Sequence, residues 1–552
     1  MLIIEEKRKK ERKFMKKLFI SLLIVAAVLS LGVYAYTGTG TQANPYMIET
    51  KEDLQTIAAA SASNSLKNKY FKQTANIAFG TENFTGIGTE AHPFMGNYDG
   101  CGYTISGTNV TCIGIFNVTK DATVSNLNSG IKITADNYIG GIVGKALGQT
   151  VITDCTFNGI ISVPENNMIL SSRIGGIAGF AESGTTIQKC ENFASVNVDS
   201  VPFITYVGGI VGQSYGSVYA CKNNAAITVC SDTYLVAAGG IAGHTGGAVN
   251  YCFNYGDVSG ETENELAMVY AGGIAGYNEG GILTAVQNDA SVLVTNYGKY
   301  PGYAGGICGY NEGGVITVVR NDGTVLTEGA YAGGIVGLNL STEQVSVVDN
   351  ALNKADVTGS SGIAGGIAGV NMSIIDGSTE ALVSGSVNLN TVTGGSAIVG
   401  SEVTTDGAPS TVENVYALSG TDDNATFLTA DQFKNATSLA GLDAGEWVFP
   451  SGFNPNIAIA SDASEFEIIY VDNNNERFAF SVYNPGTARN GVAIISYYNG
   501  GRLAGISISN MSLKNGYTTC SAASPYASSD DIKVMVLDSL TGLIPLVKPL
   551  QR

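Results

Sequence analysis

The sequence predicts an all-β chain built around a parallel β-helix, a solenoid in which each coil of strands stacks on the coil before it. Three observations predict this fold class. Glycine is abundant, at 71 of 552 residues, but it lacks the three-residue period of collagen. A Gly-Gly-Ile-x-Gly string recurs at spacings of 28 to 35 residues, which is too short for a unit that folds alone. The units contain alternating β-branched runs and no helical period.

Residues 1–35 have the layout of a secretory signal peptide. A basic stretch from Lys7 to Lys17 carries eight of the 29 Lys and Arg residues, and an apolar run from Leu18 to Tyr34 follows it. Val33-Tyr34-Ala35 resembles a small-residue cleavage site. We expect this segment to be removed, with an uncleaved membrane anchor as the alternative. The mature chain is therefore expected to be secreted or held at the cell surface.

The charge of the chain excludes several partners. The formal net charge is -18, and beyond Lys17 the chain is more acidic still. Because nucleic acids and anionic membranes are themselves negatively charged, neither is expected as a partner. Contact with a membrane is expected only through the N-terminal segment.

The repeats set the domain boundaries. The string begins at Gly140, Gly175, Gly208, Gly239, Gly272, Gly305, Gly333 and Gly365. We predict three short strands per unit and one unit per coil. The expected domains are an N-terminal capping segment with the first coils (36–110), the β-helix (111–420), a closing segment with a short helix (421–456), and a C-terminal module (457–552).

Two columns of residues are expected inside the stack. Aligned units place four cysteines at one position, continued by valines: Cys155, Cys190, Cys221, Cys252, Val286, Val319 and Val348. Cysteine alternating with valine is typical of a small buried hydrophobe rather than a disulfide or a metal ligand. A second column can hydrogen-bond as an asparagine ladder: Asn192, Asn223, Asn254, Asn288, Asn321 and Asn350.

These glycine units resemble the GLUG motif of bacterial surface proteins, adhesin-like repeat proteins and some IgA-cleaving metallopeptidases. The entry segment at Asn44–Leu54, in which Thr50 and Asp53 form a capping box, is similar to the same family, as is the closing segment around Thr429–Phe433 and Trp447–Pro450. The resemblance implies a right-handed β-helix on the bacterial cell surface. It implies no defined catalytic activity.

From about Ile457 the glycine repeats stop and longer alternating strands begin. The runs Phe478–Tyr483, Val492–Tyr498, Leu503–Ile508 and Ile532–Leu537 predict a small β-sandwich, and Asn499-Gly500 predicts a hairpin turn. The segment is similar to C-terminal modules of clostridial-type secreted proteins, in which Lys533–Ser539 would form the final strand.

Catalytic chemistry has few candidate residues. With only two histidines and no paired cysteines, a zinc site is not expected, and no cofactor is predicted. Stacked carboxylates are the remaining possibility, either as an acid pair or as Ca²⁺ ligands: Glu279 with Glu312, and Asp289 with Asp322. The simpler interpretation is that these acids occupy solvated turns. We expect a non-enzyme, with a polysaccharide-active lyase or glycosidase as the alternative.

A file of surface aromatic residues is the better functional candidate. If the strand from Tyr270 to Tyr277 is continuous and Ile274 points inward, alternation exposes Tyr277. The same reasoning exposes Phe180, His244 and Tyr310. Such a file suits sugar rings or a protein partner, although large residues also decorate β-helix faces without function. The sequence therefore predicts an adhesin-like protein that presents this face to glycans or surface proteins.

Overall fold

The computed structural model describes residues 36–552 apart from 64, 136, 164–170, 199–203, 232–233, 361–362, 375–378, 405–408, 474–476, 524–530, 541–543, 547–548 and 552. The predicted signal segment, 1–35, lies outside the described residues. The chain is nearly all-β and forms a parallel β-solenoid of about 10 turns, as the repeats predicted.

Four parallel sheets form the walls of the solenoid. Sheet 1 has eight strands: Ile139–Gly140, Ser171–Gly175, Ile204–Gly208, Leu235–Gly239, Met268–Gly272, Gly302–Gly305, Ala330–Gly333 and Ala364–Gly365. Sheet 2 has ten strands: Phe116–Lys120, Val143–Leu147, Ala178–Ala181, Val211–Ser214, Ala242–Thr245, Ala275–Glu279, Cys308–Glu312, Val336–Ser341, Ala368–Ser373 and Val399–Thr404.

Sheet 3 is the longest wall and also contains the N-terminal coils. Its strands are Tyr46–Ile48, Tyr70–Gln73, Ile77–Ala78, Asn97–Asp99, Thr104–Val110, Thr123–Ser125, Asn128–Thr134, Val151–Thr153, Thr156–Phe157, Ile160–Ser162, Thr186–Gln188, Glu191–Asn192, Ser217–Tyr219, Lys222–Asn223, Ala248–Asn250, Phe253–Asn254, Ile282–Asn288, Val315–Asn321, Ser346–Asn353, Ala381–Ser384, Val387–Asn388, Ser410–Glu413, Tyr416–Ala417 and Thr426–Phe427. Sheet 4 contains Val196–Val198, Ile227–Ser231, Val258–Thr262, Val292–Asn296, Val325–Glu328, Val357–Gly359 and Val392–Thr393.

Each complete coil visits the sheets in the order 1, 2, 3, 4. One coil, for example, runs through Met268–Gly272, Ala275–Glu279, Ile282–Asn288 and Val292–Asn296. The prediction of three strands per unit was therefore one strand short. The fourth strand was missed because the residues on both sides of the Gly-Gly-Ile string were assumed to form one continuous strand, whereas the string is a corner between two strands.

Close backbone packing at this corner explains its glycines. Ile274 is fully buried in the main core. A Cβ on Gly273 would lie 2.2 Å from the side chain of Asn288 and 2.2 Å from the carbonyl oxygen of Gly306, so only glycine fits. The corner thus joins a strand of sheet 1 to a strand of sheet 2, and its isoleucine side chain packs in the core of the solenoid.

Sheet 3 is kinked in every coil by one residue in the left-handed region. These residues occupy one column: Asn126, Asp154, Lys189, Ala220, Tyr251, Ala285, Val318, Asn350, Gly385 and Asn414. Val318, at φ 56°, is the most strained type, because β-branched residues rarely adopt this conformation. The kink turns the next residue of each coil into the core.

The cysteine column follows this kink and is buried as predicted. Cys155, Cys190, Cys221 and Cys252 are all fully buried, and the Cys221 thiol donates to the carbonyl of Tyr219 at 3.4 Å. The prediction that Val348 continues this column after Val319 is wrong. Val319 pairs with Ala351, whereas Val348 pairs with Ile316.

The asparagine ladder is also present, with one correction. Asn192, Asn223, Asn254, Asn288 and Asn321 each donate from Nδ2 to the Oδ1 of the next coil at 2.8–2.9 Å. The ladder continues through Asn353 to Asn388, not through Asn350, which occupies the left-handed column. Val348-Asp349-Asn350 and Ala351-Leu352-Asn353 both place a small apolar residue two positions before an asparagine. The sequence therefore did not show which of the two continues the columns.

Two α-helices lie near the beginning and the end of the solenoid sequence. Helix α1, Lys51–Ser61, begins at the predicted capping box, in which Thr50 and Asp53 bond each other's backbone amides. In the closing segment, helix α2 spans Ala430–Phe433, is capped by Thr429, and is followed by a 3₁₀ helix at Ala436–Leu439.

The C-terminal module contains two antiparallel sheets whose side chains share one core, which partly supports the predicted sandwich. Sheet 5 contains Glu467–Asn473, Arg477–Asn484 and Gly516–Ala523. Sheet 6 contains Arg502–Leu513, Arg489–Asn499, Asp531–Leu537 and Leu550–Gln551, in that order. Lys533–Ser539 was expected to form the final strand. The strand found there, Asp531–Leu537, is instead followed by Leu550–Gln551. A two-stranded ladder, Trp447–Val448 with Asn456–Ile457, precedes the module.

The closing segment and module fold back along the outer surface of sheet 3. Trp447 contacts the coil of Asn350, and further along the chain Asp462 forms an ion pair with Lys189 at 2.6 Å. Tyr251 and Val318, both in the kinked column, pack against the apolar cluster of the closing segment. This wall of the solenoid is therefore covered by the chain itself.

Candidate functional site: an aromatic groove and its ledge

Sheets 1 and 2 meet at an angle that leaves a groove on the outside of the solenoid. Tyr270 on sheet 1 and Tyr277 on sheet 2 lie on opposite sides of the glycine corner, yet their ring centroids are 6.1 Å apart. Tyr270 also stacks on Tyr310 at 4.7 Å with 27° between the planes. Side chains that point away from the core of both sheets therefore converge. We call this surface the aromatic groove: Phe180, Tyr206, His244, Tyr270, Tyr277, Tyr303, Tyr310 and Tyr331.

The parallel register aligns these residues in two columns. On sheet 2, His244 pairs with Tyr277, and Tyr277 pairs with Tyr310. On sheet 1, Tyr270 pairs with Tyr303, and Tyr303 pairs with Tyr331. The predicted file from Phe180 to Tyr310 thus lies in one column, with Gln213 between Phe180 and His244. The sheet 1 column was missed because the strand from Tyr270 to Tyr277 was assumed to be continuous.

The expected exposure of His244 is wrong. Its side chain is only 1% exposed, because Tyr206 and Tyr277 cover the ring at centroid distances of 4.8 and 5.0 Å. Its Nε2 lies 2.9 Å from the Glu279 carboxylate and its Nδ1 lies 3.4 Å from the Gln213 amide. A neutral imidazole protonated at Nε2 satisfies both contacts. The groove therefore contains a hydrogen-bonded histidine in its floor, not on its surface.

Burial in the groove changes the acidity of its tyrosines. Phe180, Tyr277 and Tyr310 are half-buried, so the predicted file is less exposed than expected. Desolvation raises the pKa of Tyr303 to about 12 and raises those of Tyr277 and Tyr310 further. These phenols therefore stay protonated through the physiological range, and the hydroxyls of Tyr303 and Tyr310 can donate hydrogen bonds to a ligand.

Two of the predicted carboxylates lie at the edge of the groove. Glu279 and Glu312 are paired across adjacent coils, as the sequence predicted. The Tyr277 hydroxyl donates to Glu312 at 2.7 Å, and the hydrogen bond from His244 lowers the pKa of Glu279. With Thr342, Glu343 and Gln344 they line a cleft of ≈ 340 Å³. This edge of the groove is therefore rich in hydrogen-bond acceptors.

The other predicted carboxylate pair lies on a different wall. Asp289 and Asp322 come directly after the ladder residues Asn288 and Asn321, where the strands of sheet 3 end. The groove lies on sheets 1 and 2 instead. The buried guanidinium of Arg320 donates to Asp322 at 2.7 Å, and Asp289 accepts from Gln287 at 2.6 Å. In the part of the chain that the structure describes, no group of three or more His, Cys, Asp or Glu residues could hold a metal ion.

Basic groups occupy the N-terminal end of the groove. The ammonium of Lys145 lies 3.7 Å from the ring centroid of Tyr138, and the Arg173 guanidinium lies 5.9 Å from that of Tyr206. Both are cation–π contacts. Arg173 also donates to Gln213 at 2.7 Å. The groove is therefore basic at one end and acidic at the other.

A row of exposed apolar residues beside the groove was not predicted. The loops that lead from sheet 4 to sheet 1 carry large side chains that are 50–59% exposed, and we call this row the ledge: Tyr234, Leu266, Tyr297 and Tyr300. Met268 and Tyr270, two and four residues after Leu266, belong to the apolar cluster of the groove. Tyrosines that recur in the loop before successive glycine strings are the signal that could have identified the ledge.

The geometry defines a β-solenoid protein with an external aromatic groove. Within that class, residues 135–163 match the family model of the GLUG motif. This match and the stacked coils fit a GLUG-type β-helix family, as the sequence resemblance indicated. The search of curated proteins found no match.

Two solved structures are similar to this chain. An IgA1 protease shares 19% sequence identity over 49% of this chain and 21% of the protease, with a TM-score of 0.32. The enzymatically active domain of tailspike protein 4 from bacteriophage CBA120 shares 11% identity over 89% of this chain and 62% of that one, with a TM-score of 0.16. Scores this low support no argument about function. Within the described ranges, no helix is long and apolar enough to span a membrane.

Proposed function

We propose that this chain is a secreted or cell-surface binding protein, adhesin-like, whose aromatic groove and ledge bind glycans. One observation carries the proposal. Among the described residues, the closing segment and C-terminal module pack on sheet 3, whereas the apolar clusters of the groove contain solenoid residues alone. The molecule therefore covers one wall and leaves the groove and the exposed side chains of the ledge uncovered, and clustered exposed apolar residues are typical of binding sites.

The chemistry of this surface suits a neutral glycan chain. Tyrosine rings pack against the C–H faces of sugars, and the carboxylates of Glu279 and Glu312 accept hydrogen bonds from hydroxyls. Successive coils repeat at about 4.8 Å, close to the length that one sugar ring adds to a linear glycan. Acidic glycans are disfavoured, since the chain carries a net charge of -18. A protein partner on the same surface is the alternative occupant.

A glycan array probed with the secreted protein tests this proposal. We expect binding to neutral linear glycans, and at least a tenfold weaker affinity for a variant with Tyr297→Ala and Tyr300→Ala. Loss of two exposed rings at about 1–1.5 kcal/mol each supports that magnitude. Tyr103→Ala is the matched control, because Tyr103 is also exposed but lies in the N-terminal coils. Equal binding by all three proteins, or no glycan binding by the parent, would reject the proposal.

A polysaccharide-active enzyme is the second candidate, favoured by the paired carboxylates. Glu279 and Glu312 occupy paired positions on adjacent strands, whose backbones lie about 4.8 Å apart, and glycosidases use two neighbouring carboxyl groups. The same glycans, incubated with the protein and assayed for new reducing ends, distinguish the two candidates. Turnover that disappears in Glu312→Gln would indicate an enzyme, whereas binding without turnover would indicate a binding protein.

A further inference from the structure

The C-terminal module has an uncovered edge. Strand Arg502–Leu513 is an outer strand of sheet 6 and pairs on one side only, with Arg489–Asn499. A register shift near the hairpin turn affects Tyr497 and Tyr498, after which Gly505–Leu513 pairs without interruption. No described strand pairs with the other side of this strand. Its backbone therefore offers a regular row of free donors and acceptors.

The side chains of this strand lack the features that normally protect an edge. Leu503, Ile506 and Ile508 are 54, 53 and 56% exposed. The eleven residues from Leu503 to Leu513 include no charged residue and no proline. Exposed edges in soluble proteins usually carry lysine, proline or a central bulge to prevent pairing with another chain. This edge is therefore suited to pairing.

The apolar surface continues from the edge across the outer face of sheet 6. Ile508 pairs with Ile494, and Ile494 pairs with Met535 on the next strand. Ile494 and Met535 are half-buried. Along the strands of a sheet with one face in water, apolar residues normally point to the core and polar residues point to the solvent. Here the row of three apolar residues lacks a described partner above it.

We propose that this edge pairs with the same edge of a second copy of the chain. A two-fold axis would place the two strands antiparallel, so that each donor row meets an acceptor row and the two four-stranded sheets join. The composition of the strand permits this occupant: two chains of net charge -18 repel each other over most of their surface, but the uncharged strand Leu503–Leu513 brings no like charges together at the joint. The dimer also aligns the two apolar rows beside each other.

Light scattering coupled to size exclusion, on the full secreted chain, tests the proposal. We expect the parent to be a dimer at micromolar concentration. A variant with Ile506→Lys and Ile508→Lys should be monomeric, since lysines on both copies would face each other across the joint. The matched control, Ile160→Lys with Leu326→Lys, replaces equally exposed residues of the solenoid and should remain dimeric.

Hydrogen exchange provides a second readout that needs no variant. Amides of 505–513 in the parent should exchange at least tenfold more slowly at a concentration that favours the dimer than at a hundredfold dilution. A monomeric parent, a lysine variant that still dimerises, a solenoid control that dissociates, or exchange that does not depend on concentration would each overturn the proposal. None of these outcomes bears on glycan binding by the groove.

Discussion

The indole N–H of Trp447 donates to the side-chain oxygen of Asn350 at 3.0 Å, across 97 residues of sequence. Trp447 is 2% exposed and is the one tryptophan in the chain. Asn350 itself is in the left-handed region, at φ 48°. One asparagine therefore both permits the kink of sheet 3 and holds the closing segment against it, and tryptophan fluorescence reports on that contact.

Substitution of Asn350 should separate its two roles. Asn350→Gly keeps the backbone conformation but removes the acceptor, which should lower the free energy of unfolding by about 1–3 kcal/mol. Asn350→Ala also removes the acceptor but, unlike the glycine variant, keeps a Cβ in the left-handed region, which should cost about 1–2 kcal/mol more. Urea unfolding followed by Trp447 fluorescence measures both values. Equal stability of the alanine and glycine variants would contradict the strain argument.

Relief of strain elsewhere in the kinked column should stabilise the protein. Ala220, at φ 51°, is 8% exposed and lies outside the apolar clusters, so Ala220→Gly removes little packing. We expect a gain of about 0.5–1 kcal/mol in the free energy of unfolding, because relief of the left-handed conformation exceeds the entropy gained by the unfolded chain. Ala225→Gly is the control: Ala225 is equally buried but has no positive φ, and its substitution should destabilise. A loss of stability for Ala220→Gly would refute the assignment.

Loss of an asparagine from the middle of the ladder should lower the free energy of unfolding more than loss of one from its end. Asn254 accepts from Asn223 and donates to Asn288, each at 2.8 Å, whereas Asn192 has one ladder neighbour, Asn223. Asn254→Ala therefore leaves polar groups unsatisfied on both sides. It should cost about 1–3 kcal/mol more than Asn192→Ala in thermal or urea unfolding. Similar costs for the two variants would show that the ladder contributes only through packing.

Docking of the C-terminal module should weaken in acid. Burial alone would raise the pKa of Asp462, but hydrogen bonds from Lys189, Ser464 and Tyr219 outweigh it and hold the pKa well below the ordinary 3.8. A carboxyl group with a lowered pKa stabilises the folded state above its ordinary pKa and loses that contribution as the pH falls below it. The free energy of unfolding of the parent should therefore fall below pH 3.8.

Asp462→Asn provides the comparison for this pH dependence. The variant should be less stable than the parent at pH 7, and the difference between them should shrink as the pH falls below 3.8, because the Asp462 carboxyl group of the unfolded parent then takes up a proton that the folded parent does not bind. Urea unfolding at pH 7, 4 and 3 measures this difference. A difference that is constant with pH would assign the stability to packing rather than to the ionised carboxylate.

Local patterns in the sequence determined most of the solenoid. The Gly-Gly-Ile-x-Gly string predicts a buried Ile274 and glycines without room for a side chain, because the same corner recurs at the same place in successive coils. The capping box of Thr50 with Asp53 likewise identifies the start of helix α1. Contacts between residues close in the chain leave a composition and a spacing that can be recognised.

The tertiary structure alone decided the register, the burial and the covering of each wall. Ala351 continues the cysteine column and Asn353 continues the asparagine ladder because the main chain kinks at Asn350. The sequence alone could not distinguish this register from the one that places Val348 and Asn350 in those columns. His244 is buried because two sheets meet at an angle that no single strand specifies. The closing segment covers sheet 3 through contacts such as Trp447 with Asn350, between residues far apart in the chain. Long-range packing depends on the summed surface of many residues, so it leaves no local pattern in the sequence.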